Sequence, residues 1–250
     1  MRKESQAVDW GRICTIGGIA ALMTVLVGLI ESSITFLPTG TSADTVTVLD
    51  WFALFQTNRF IALRNLGLLN LFFNTLAIPG YLGLYAALRK ERHVHAATAM
   101  ATAFIGVAVF FGTNRALPML DLSNQYAAAT TDAQRASLVA AGQAMLSVGQ
   151  SHTPGTFIGF FLADLAGIIV SAGMLRSRIF GRATAYLGLL GFALLMIFEI
   201  LASFVWTLDD AAIALAMLGG LLSSIWYVSS GLRLLRLGQN VLPEAAYLAS

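Results

Sequence analysis

A bundle of six transmembrane helices, an all-α integral membrane protein, is the fold class this sequence predicts, and three observations carry the prediction. Of its 250 residues, 57% are hydrophobic and 11% charged, where a soluble domain carries about 25% charged residues. The apolar residues gather in six runs, each long enough for the roughly 20 helical residues that cross a hydrocarbon core. The basic residues fall in alternate connecting segments, the pattern that orients membrane proteins.

The first run, about 13–37, follows a short basic N-terminus, MRKESQAVDWGR. It is too long for a signal-peptide core and lacks a small-residue cleavage site, so it reads as a retained span. The others are expected at about 60–88, 96–117, 154–175, 183–206 and 211–232, and the chain reads as a single membrane domain over 1–250. Thr153-Pro154 has the form of an N-cap with proline at the first helical position, opening span four. Trp10, Trp51 and Trp206 fall near the expected interfaces, where amphipathic rings belong.

With the N-terminus inside, the cytoplasmic segments hold Arg2, Lys3, Arg12, Arg89, Lys90, Arg92, Arg176, Arg178, Arg182, Arg233 and Arg236, which is 11 of the 15 Lys and Arg. The outer segments hold Asp44, Asp50, Asp121, Asp132, Asp209 and Asp210 against Arg135 and the borderline Arg59. Both termini are therefore expected in the cytoplasm. Two outer segments are more than loops. VTVLDWFALF (46–55) is apolar enough to lie along the interface, and an additional amphipathic helix is expected at about 130–149. That helix opens on Thr131 and Gln134 in capping-box spacing, with Leu138, Ala141 and Met145 on one face. It reads either as a helix packed on top of the bundle or as a lid hinged near Pro118.

Against this apolar background the polar residues inside the spans are the informative ones. An intramembrane charge costs about 2.5–3.5 kcal/mol on insertion scales, so such groups face the interior and have partners. Glu31, Arg64, Asp164 and Glu199 stand out, with Arg115 near the outer end of span three. Glu31 lies seven residues before Pro38 and Glu199 seven before Trp206, at the outer ends of their spans, about 10 Å deep at 1.5 Å rise per residue. Helical phase turns them inward. Gly17, Ala21, Thr24, Gly28 and Glu31 form one small-residue stripe, and Thr184, Gly188, Gly191, Glu199 and Ser203 another. Asn70 and Asn74 share a face of span two. These charges are expected to form one cluster in the outer half of the bundle.

Two readings of that cluster stay open. In one, Arg64 pairs with Glu31 or Glu199 and the charges only hold helices together. In the other, three acids facing one clearly buried base leave a pocket for a small ligand, a lipid or a proton, with Asn70 and Asn74 as its hydrogen-bonding wall.

Other chemistry is poorly supported. The lone Cys14 excludes an internal disulfide framework, and a net charge of +2 offers no nucleic-acid footprint. His93 and His95 read as members of a basic turn, and His152 as a weak candidate for gating or pH sensing. Serines of span six lack a histidine base at their depth, and no hydrolase, phosphate-loop or metalloprotease motif is present. An intramembrane enzyme acting on lipid therefore ranks behind binding, transport and structural roles, and no cofactor or metal is implied. The expected partners are membrane lipid and a small ligand; the oligomeric state is not written in the sequence.

Three stretches carry a family resemblance: LDWFALFQTNRFIALRNLGLLN, TNRALPMLDLSNQYAAATTDAQRASLVAAGQAML and GIIVSAGMLRSRIFGRATAYLGLLG. They resemble bacterial multi-span proteins of domain of unknown function family 4386 or a close relative of it. The resemblance implies a small inner-membrane protein of about six helices and assigns no activity and no site residues.

Overall fold

The structure, a computed structural model, describes residues 8–36, 47–149 and 152–247. The end of span one at residue 37, the basic residues Arg2 and Lys3, Asp44 and the ring of Trp206 lie outside the described residues. Among those described, 86% are helical and none is in a strand, so the all-helical class holds.

Six helices are long and apolar enough to cross a membrane. They lie in α1 (Trp10–Phe36), α4 (Leu68–Leu88), α5 (His93–Thr113), α8 (Phe157–Leu175), α9 (Arg182–Phe204) and α10 (Asp209–Tyr247). Each packs on its neighbour in the chain, and α10 returns to pack on α1, so the six close into an up-and-down ring. The ring turns apolar side chains such as Ile19, Leu26, Phe72, Ile105, Leu190 and Leu221 outward and keeps Thr24, Asn74, Asp164, Ser171, Glu199 and Ser230 buried. That distribution suits a lipid surround, where polar groups are stable only inside the protein.

Small residues set how closely the ring closes. A Cβ on Gly17 would stand 2.6 Å from the Cα of Gly83, and one on Gly191 would stand 2.8 Å from the backbone nitrogen of Ser223. Gly17 and Gly191 thus bring α1 onto α4 and α9 onto α10 at backbone contact. The main apolar core fills the half of the ring near the basic loops, with Leu84, Leu88, Ala99, Val170, Met174 and Trp226 among its members. At that end Arg92 donates to the backbone carbonyl of Arg176, and the carboxylate of Glu91 accepts from the backbone N–H of Arg178.

The other end carries four short helices: α2 (Val48–Thr57), α3 (Arg59–Asn65), α6 (Ala116–Ala128) and α7 (Asp132–Ser147). A second apolar cluster built on Trp51, Phe52, Phe55, Leu66 and Met119 holds them together. Trp51, expected at an interface, is buried here at 3% exposure. The Thr131–Gln134 capping box forms and opens α7. Gly142 of α7 meets Val48 and Phe52 of α2, while Ala141, expected on the packed face, is exposed.

Several boundaries differ from expectation: the last helix runs on to Tyr247 instead of ending near 232, and α5 stops at Thr113 rather than 117. The run 60–88 is not one helix: it breaks at Leu66–Gly67, where Gly67 has φ +95°, a conformation open to glycine at little cost. Thr153-Pro154 does not open span four. The Thr153 carbonyl accepts from the N–H groups of Thr156 and Phe157, both at 2.9 Å, and α8 starts at Phe157. Pro118 sits in the first turn of α6 rather than at a hinge between elements, where its missing N–H forfeits no helical bond.

Candidate functional site

A partly open cavity of about 200 Å³ lies between α4, α8, α9 and α10, bordering the main core at Phe192. Four of the expected residues line it. Asn70 and Asn74 enter from the first two turns of α4, Asp164 from α8 and Glu199 from α9. Asn74 also secures its own helix, its Nδ2 donating to the carbonyl of Asn70 at 2.9 Å. Ser223 and Tyr227 of α10 complete the polar lining, with Phe73, Phe160, Phe192 and Phe198 as apolar wall.

His152 is the cavity residue whose weight sequence reasoning missed. Between α7 and α8, Gly149 has φ +88° and His152 φ +62°, both in the left-handed region. The imidazole of His152 lies between the rings of Phe160 and Phe198, at centroid distances of 4.5 and 4.8 Å. Its Nδ1 lies 2.5 Å from Oε1 of Glu199, so one proton bridges imidazole and carboxyl. The signal in the sequence was faint: a histidine in a polar turn, 47 positions from its partner. It also revises one premise, since an imidazole does line the same cavity as Ser223 of the sixth span.

One cavity carboxyl remains incompletely satisfied. Glu199 is 3% exposed, and among the described residues its Oε2 has no hydrogen-bond partner. Asp164 is 7% exposed and lines the cavity. Among the described residues, no Arg or Lys belongs to the cavity lining.

The single cluster of charges expected from depth does not form. Arg64 pairs with Glu31, Nη2 to Oε1 at 3.4 Å, and adds a contact to the Glu31 carbonyl and a 3.0 Å bond to Asn65. This pair ties α3 to α1, and neither member lines the cavity. The physical reason is the ring order: α10 stands between α1 and α9, so equal depth does not bring Glu31 to Glu199. The break at Gly67 separates Arg64 from α4 and its asparagines. Arg115 is buried at 4% exposure beside Phe110, Asn114 and Thr156, in a separate water-sized space at the start of α6.

Among the described residues, no group of three or more His, Cys, Asp and Glu is arranged to hold a metal ion. Against known proteins, no family model, curated protein or solved structure matches this chain.

Proposed function

We propose that this is a multi-pass protein of the bacterial inner membrane that binds a small ligand in the cavity between α4, α8, α9 and α10. One observation carries the reading: a bundle with a largely apolar core keeps a space of about 200 Å³ lined by Asp164, Glu199, His152, Asn70 and Asn74. Empty cavities in proteins are apolar, whereas polar ones hold something that satisfies their walls. The apolar core closes the basic end of the bundle, so access is from the opposite end, the outer side by the positive-inside rule. Carriage of the ligand across the membrane is the wider form of the same proposal, and membership in family 4386 is proposed from the three stretches alone. The structural reading is favoured for one pair only: Glu31 and Arg64 line no cavity and join α1 to α3.

Native mass spectrometry of the protein released from mild detergent tests the proposal. Wild type should carry a discrete added mass that is absent in Ala163→Phe, which fills the cavity and leaves its ionisable groups in place. The same spectrum for both proteins would overturn it.

A further inference from the structure

The cavity's lining defines the kind of ligand it accepts, an inference that rests on the binding reading above. When both carboxyls are ionised, Asp164 and Glu199 supply two negative charges, and His152 offers at most one positive charge in return. The remaining negative charge has no Arg or Lys among the described residues of the lining. Uncompensated charge withdrawn from water is destabilising, and a bound monocation removes it.

A second observation points the same way: Oε2 of Glu199, on a side chain more than nine-tenths buried, has no protein partner among the described residues. Hydrogen-bond donors are what such an oxygen lacks. The apolar part of the lining is aromatic, with Phe73, Phe160, Phe192, Phe198 and Tyr227, and ring faces attract organic cations in sites withdrawn from water. The size is modest, since a cavity of about 150 Å³ accommodates benzene. We propose that the cavity binds a small lipophilic ammonium, its nitrogen between Asp164 and Glu199 and its hydrocarbon part against the phenylalanines.

Three probes of one carbon frame separate charge from shape: 2-phenylethylammonium, 2-phenylethanol and phenylacetate, titrated calorimetrically into the full chain in non-ionic detergent. The ammonium should bind at least ten-fold tighter than the alcohol, and phenylacetate should give no signal. Asp164→Asn should remove that preference, as should Glu199→Gln; the probe series on wild type decides the matter even where a variant fails to fold. Equal or stronger binding of the alcohol or the acid, lost in Ala163→Phe, would overturn the ammonium assignment and leave the cavity as a binding site. The same pattern is expected if a proton already neutralises Asp164. No binding of any probe would also overturn the assignment, and the mass spectra of wild type and Ala163→Phe then decide the binding reading separately.

Discussion

Glu199 and Glu31 look alike in sequence, each a carboxylate about two turns from the end of an apolar run, yet they do different work. Glu199 is enclosed, hydrogen-bonded to His152 and turned to the cavity. Glu31 keeps 36% of its side chain exposed and meets a guanidinium from a short neighbouring helix. Removing one member of an ion pair strands the other, whereas removing both leaves neutral packing. Arg64→Met should therefore lower stability in detergent by about 1–2 kcal/mol, short of the loss typical of fully buried pairs because Glu31 is partly exposed. Adding Glu31→Leu should recover most of it. A double variant that melts no higher than Arg64→Met would mean that the two side chains do not act as a pair.

At the level of elements, the positions where helices meet are more constrained than the positions where charge is absent. Gly191 sits where α9 and α10 touch at backbone distance, while nothing lies within 4 Å of a Cβ placed on Gly28. Both belong to small-residue stripes visible in the sequence, so the stripe alone does not tell a seam from open surface. Gly191→Leu should abolish a monodisperse elution profile, because the seam cannot widen without parting the ring. Gly28→Ala should elute like wild type and gain about 0.5–1 kcal/mol, glycine being the poorer helix former. Equal behaviour of the two variants would count against the helix order described here. The break in the second apolar run shows the same limit. Hydropathy sees 60–88 as continuous, whereas the left-handed backbone at Gly67 divides α3 from α4 and sends Arg64 to α1 instead of the cavity.

For the whole molecule, the ring gives the bundle two unlike ends, one joined by basic loops and one covered by α2, α3, α6 and α7. The proposed orientation, with the basic end in the cytoplasm, rests on the positive-inside rule. In a Cys14→Ala background, Ser137→Cys should react with an impermeant maleimide added to intact spheroplasts, and Glu91→Cys should react only after lysis. The reverse pattern would invert the orientation and with it the side from which the cavity is reached. What the sequence by itself determined is the number of apolar helices, the approximate bounds of most of them and the burial of Glu199, Asp164 and Asn74. These follow from length, hydropathy and helical phase, which are properties of contiguous residues. Tertiary structure alone decided which polar groups meet. Depth along a helix is local, but proximity depends on which helix stands between two others, here α10 between α1 and α9, and on a contact that joins His152 to a residue 47 positions away. Those outcomes come from long-range packing of small-residue seams and aromatic rings, whose partners no local window contains.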